Sequence, residues 1–135
     1  VGKRLRHDNV QASCISVEIK DVDFNCVSHQ RQMLTYTDVT NEIYEVALQL
    51  YRELWDGRTA IRQIGVRAGK VSNTGYRQYN CFDGCKYDRL RLLDQAIDKI
   101  RERYGDDSVM RSSFLQSPVY HLCGGILPEK RRITY

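Results

Sequence analysis

The spacing of apolar residues changes period twice between Ser13 and Val71, and few folds accommodate that switching. Ser13, Ile15, Val17 and Ile19 alternate with Cys14, Ser16, Glu18 and Lys20, the period of two that predicts a strand with one buried and one wet face. After the polar corner Asp21-Val22-Asp23, an extended run from Phe24 to about Tyr36 alternates more weakly and is rich in Ser, His, Gln, Arg and Thr. It reads as a hairpin partner with a strongly polar face. Ile43, Val46, Ala47, Leu50 and Leu54 then recur at helical spacing, with Asp38 or Thr40 as the expected cap and Glu42 in the first turn. Gly57, just after Trp55-Asp56, is expected to end this helix in a left-handed conformation.

From Ala60 to Val71 the period returns to two, with Ile64 and Val66 on one side and Gln63, Gly65, Arg67 and Gly69 on the other. Glycines on the polar face weaken a strand unless another backbone must come close, and a phosphodiester chain is one such object. The pattern predicts an α+β fold, an antiparallel or mixed sheet carrying helices on one face. Ile15, Val17, Ile19, Ile64 and Val66 should be buried under Ile43, Val46, Leu50 and Leu54.

Residues 1–6 read as the last turn of a helix with basic side chains opposing its dipole, and His7-Asp8-Asn9 as its exit. The loop Ser72-Asn73-Thr74-Gly75 divides a sheet unit, residues 1–75, from a tail, residues 76–135. In the tail, Leu90, Leu93, Ile97, Ile100 and Tyr104 predict an amphipathic helix over 87–104 stopped by Gly105. Met110 to Leu115 reads as a short strand and residues 118–135 as irregular. The chain opens Val1-Gly2-Lys3 without methionine, so an excised piece of a longer polypeptide is expected.

A chain of 135 residues has room for one domain and an appendage, which excludes a multidomain enzyme. It lacks the ~18–20 continuous apolar residues of a membrane span and opens without a basic segment leading into an apolar run, so no membrane or secretory role is expected. The five cysteines, an odd number partly in apolar runs, suit a reducing compartment, by default the cytoplasm. Cys81 and Cys85 with His121 and Cys123 have the atoms for a zinc site but not its compact spacing; buried or incidental thiols are the simpler reading. Asp21-x-Asp23 suits a divalent cation or, more simply, a turn. His7, His29 and His121 have no local nucleophile, so no catalytic residue and no cofactor is expected in this segment. Lys and Arg outnumber Asp and Glu by 21 to 17, which fits a nucleic-acid partner only if the fold sorts the charge.

Five pieces in order carry a resemblance. Val1-Gly2-Lys3-Arg4-Leu5-Arg6, Asp23-Phe24 with Val27-Ser28-x-x-Arg31, Ile43-Tyr44-Glu45-Val46-Ala47-Leu48, Ala60-Ile61-Arg62-Gln63-Ile64-Gly65-Val66-Arg67 and the run from Leu93 to Gly105 resemble the little finger domain and following helix of Y-family translesion DNA polymerases. The resemblance spans most of residues 1–115. It implies a sheet with helices on one face whose other face lies along primer–template DNA, holding the backbone without reading sequence, in DNA repair and the SOS response. By resemblance Ser28, His29, Arg31, Arg62, Gln63 and Arg67 touch that backbone, with Arg31 and Arg67 on the same open side. The metal-binding carboxylates, and the Mg²⁺ they hold, would belong to a palm domain elsewhere in the parent polymerase. Gln78-Tyr79-Asn80-Cys81-Phe82 is similar to the Gln-Leu-x-Leu-Phe peptide that docks on the sliding clamp, with Gln78, Cys81 and Phe82 at the matching positions. The alternative is an interaction module docking on the clamp or on a recombination filament with little DNA contact. A complete little finger has a further strand and most of a helix before Val1, so either the helix over 87–104 covers the gap or two chains exchange elements as a homodimer.

Overall fold

The computed structural model describes residues 1–73 and 84–114. In chain order the elements are α1 (Gly2–His7), β1 (Gln11–Asp21), β2 (Cys26–Thr37), α2 (Thr40–Leu54), β3 (Ile61–Ser72) and α3 (Gly84–Tyr104), followed by a 3-10 turn, Ser112–Phe114. Two compact units divide the chain, Val1–Gln95 and Ala96–Tyr135.

In the first unit the sheet is antiparallel with the order β2-β1-β3, so the strand with the strongest alternation is the central one. Ile15, Val17 and Ile19 of β1 are buried, as are Ile43, Ala47 and Leu50, which stand three and four residues apart on one face of α2. Leu5 of α1 closes the same core. Burying a side chain such as Ile15 or Leu50 contributes about 1.5–3 kcal/mol, and this stripe on stripe supplies the main drive for the α+β packing.

The coverage is uneven. α2 packs over β1 and β2, and β3 lies beyond it. Ile64 and Val66, expected in the core, therefore keep 51% and 39% of their surface exposed although they pair with buried Ile19 and Val17.

Several boundaries differ from the sequence reading for local physical reasons. β2 starts at Cys26 because Phe24 sits in the turn with φ +67, and Asp21 closes that turn by accepting the backbone and side-chain N–H groups of Asn25 at 2.8 and 3.0 Å. Those bonds, the side-chain one foremost, hold the Asp21 carboxyl below its ordinary value. Neither Asp38 nor Thr40 caps α2: Val39 occupies the N-cap, and the carboxylate of Asp94 in α3 accepts the Thr40 N–H at 2.7 Å. The other end of α2 leaves directly into extended backbone at Trp55. Gly57, with φ +77, falls in the following turn, where Asp56 accepts the N–H groups of Arg58 and Thr59.

The start of α3 belongs to the first unit through charged and buried groups. Asp38, 1% exposed, accepts the Tyr87 hydroxyl at 3.0 Å and Arg91 Nε at 2.9 Å, while Arg6 Nη1 reaches Asp94 Oδ2 at 3.0 Å. In the second unit Gly105, with φ +97, ends α3, and Arg101 donates twice to the carbonyl of Val109. The short strand expected at Met110 to Leu115 is replaced over Ser112–Phe114 by the 3-10 turn.

Cys81, His121 and Cys123 of the candidate zinc set, and the peptide Gln78 to Phe82, lie outside the described residues. Among the described residues no three His, Cys, Asp or Glu side chains gather to hold a metal ion, and no helix is long and apolar enough to cross a membrane.

Candidate nucleic-acid interface

Because residues directly opposite in an antiparallel ladder share a face, the register decides which polar side chains stand together. On the face away from α2, Ser16 of β1 lies between Gln30 and Arg67, Glu18 between Ser28 and Gly65, and Lys20 between Cys26 and Gln63. Ser16, Glu18, Ser28, Gln30, Gln63, Gly65 and Arg67 line a polar groove across all three strands, and His29 and Val66 complete its lining. Arg67 is exposed and makes no hydrogen bond or ion pair among the described residues. Next to the groove, Lys70 Nζ donates to the side-chain Oε1 of Gln32 at 2.5 Å.

The six residues that the resemblance assigns to DNA do not share this face. Arg31 pairs with Ile15 and His29 with Val17, the residues whose side chains point to α2. Arg31 accordingly donates to Gln49 at 2.7 Å and to Glu53 at 2.5 Å, and His29 Nδ1 lies 3.4 Å from Glu53. Arg31 and Arg67 therefore leave the sheet on opposite sides. The reason is the strand period itself, since the polar run from Ser28 to Arg31 is split residue by residue between the two faces. Ser28, Gln63 and Arg67 remain on the open face. Gln30 takes the place expected of Arg31, and it was readable from the sequence once β2 was aligned on the buried residues of β1.

Arg62 reaches its position by a different route. Lys20 pairs with Gln63 while Asp21 pairs with Ile61, so Arg62 is the extra residue of a β-bulge. Its guanidinium lies 4.6 Å from the centre of the Phe24 ring, and Lys20 Nζ lies 5.3 Å from the same ring.

Gly65 and Gly69 lie on the open face opposite Glu18 and Cys14. A Cβ added at either would meet its nearest neighbour at 3.8 or 3.9 Å, an ordinary contact distance. Neither has positive φ. Among the described residues, nothing demands glycine at either position.

Comparison with known proteins follows the same lines. Residues 1–81 match the impB/mucB/samB family C-terminal domain. The chain is 35% identical over 116 residues to a DNA polymerase IV from Clostridium acetobutylicum, covering 86% of this chain and 29% of that protein. A DNA polymerase IV from Acetivibrio thermocellus is 32% identical over 118 residues (86% and 30%), and one from Pelotomaculum thermopropionicum 34% over 113 residues (83% and 27%). The chain thus spans less than a third of the length of these curated relatives.

Proposed function

The chain belongs to the impB/mucB/samB family of Y-family polymerase C-terminal domains, and on that premise we propose that its open sheet face grips the backbone of primer–template DNA for an error-prone polymerase. The observation that carries this reading is Arg67, unpartnered among the described residues, on a groove lined also by Gly65, a glycine that no contact among the described residues requires. Phosphate is the group such a surface recognises: Arg67 supplies charge and a planar fork of donors, while Ser28, Gln30 and Gln63 supply neutral donors. No base edge is read by a shallow face of this kind, so affinity is electrostatic and tolerant of distorted templates.

Within this reading Arg31 and His29 serve α2. Their bonds to Gln49 and Glu53 tie its second half to the edge strand β2. Within the same proposal, nucleotidyl transfer and its Mg²⁺ belong to another part of a parent polymerase, and the Asp21 carboxylate serves its own turn by accepting both Asn25 N–H groups. Damage tolerance, an SOS role and a cytoplasmic, reducing setting belong to the same proposal; free Cys14, Cys26 and Cys85 suit such a setting.

Titration of primer–template DNA at several salt concentrations tests the grip. Affinity should fall steeply with salt and hardly change with sequence, and binding indifferent to salt would reject it. Sliding-clamp docking through Gln78, Cys81 and Phe82 is a second reading, favoured by the order of residues in that peptide. Clamp capture that survives Phe82→Ala would reject it. Exchange of elements between two copies is checked by light scattering, where a monomer at all concentrations argues against it.

A further inference from the structure

At the hairpin end of the groove, three departures from regular β geometry converge on one exposed aromatic ring. Phe24 is 60% exposed and sits at φ +67, a left-handed conformation that bulky side chains rarely adopt. Asp21 locks the turn that imposes it, through both N–H groups of Asn25. The bulge at Arg62 breaks the alternation that would otherwise send this arginine to the same side as Ile64. Together these place the Arg62 guanidinium 4.6 Å and the Lys20 ammonium 5.3 Å from the centre of one ring. Neither cation makes a hydrogen bond or ion pair among the described residues. Phe24 buries little of its own surface and is no member of the core.

We infer that Phe24 is a positioning residue which holds Lys20 and Arg62 as a preorganised pair for a DNA phosphate. Long cationic side chains on an open surface lose rotamer freedom when they bind, and a ring that already fixes them reduces that loss. The contact is electrostatic and dispersive, so it leaves the N–H donors free for an anion. The pair is adjacent to Gln63 in the sheet, since Lys20 is its register partner and Arg62 its chain neighbour. A strand of DNA lying on the groove past Arg67 and Gln63 therefore meets a second anchor at its end. This inference rests on the DNA-gripping reading and assigns it a residue that touches no DNA.

The experiment is a mutant cycle read by primer–template affinity at fixed salt. Phe24→Leu keeps apolar bulk and removes the ring's quadrupole; affinity should fall about 2–5-fold, the range of an exposed cation–π contact. Phe24→Tyr should restore it to within about twofold, because the ring face is kept. On a Lys20→Ala, Arg62→Ala background Phe24→Leu should cost nothing further. Wild-type affinity in Phe24→Leu, failure of Phe24→Tyr to restore binding, or an equal loss on the double-alanine background would each overturn the inference. Wild-type chain that shows no salt-dependent binding rejects the gripping surface as a whole, and this anchor with it.

Discussion

The carboxylate of Asp94 accepts the backbone N–H of Thr40 at 2.7 Å, so α2 is capped from α3, 54 residues away in the chain. The same oxygen receives Arg6 Nη1 at 3.0 Å, and Arg6 also donates to the carbonyl of Asp38 at 2.6 Å. One acid therefore joins α1, α2 and α3 where the helix dipole of α2 favours negative charge. The Asp94 and Arg6 side chains are only 16% and 7% exposed, which keeps the pair largely unscreened.

Asp94→Ala removes the cap and one carboxylate partner of the nearly buried Arg6, and should destabilise the first unit by about 2–4 kcal/mol. Asp94→Asn retains a carbonyl oxygen for Thr40 and should cost about half as much. Urea unfolding of both variants checks this. Equal, negligible losses would show that the contact contributes nothing.

The turn that presents Phe24 should be acid-sensitive. Asn25 lowers the Asp21 carboxyl below its ordinary value of 3.8, chiefly by a side-chain hydrogen bond, and backbone N–H bonds, first from Arg58, do the same for Asp56. A depressed carboxyl stabilises the folded form above its unfolded value, and that contribution is lost as pH falls through the folded value. Both turns should be intact at pH 5 and loosen below about pH 4. Carboxyl titration by NMR should give midpoints below 3.8 for Asp21 and Asp56, and midpoints above it would refute the turn chemistry.

Gly65→Ala separates folding from grip. Among the described residues the added methyl meets Glu18 Cβ at 3.8 Å and Glu18 O at 4.0 Å, both ordinary contacts, so thermal stability should hold or rise slightly, because alanine restricts the unfolded chain more than glycine does. DNA affinity should fall several-fold as the methyl lifts the ligand off the strand. Loss of stability with unchanged affinity would mean that glycine serves the fold.

Glu18 stands on the open face between Ser28 and Gly65, where its charge opposes phosphate. Glu18→Gln should tighten primer–template binding about 2–5-fold at low salt, an effect that fades as salt screens it. Weaker binding would assign Glu18 a favourable contact.

Much of this arrangement was legible beforehand. The buried stripe of β1 and the helical stripe of α2 follow from periodicity alone, because core residues obey one geometry along each element. The faces of β2 were harder to read: its polar run hides the alternation, and only the pairing with Ile15 and Val17 shows that His29 and Arg31 belong to the helix side. The bulge at Arg62 and the cap from Asp94 left no local sign. A bulge depends on the partner strand's register, and a cap supplied across the fold depends on the tertiary packing of α3.

The most direct test sets the two arginines against each other. In the salt dependence of primer–template binding, Arg67→Ala should flatten the slope of log affinity against log salt by about 1, while Arg31→Ala should leave the slope unchanged. A slope that flattens for Arg31→Ala and not for Arg67→Ala would put DNA on the other face of the sheet and contradict the account.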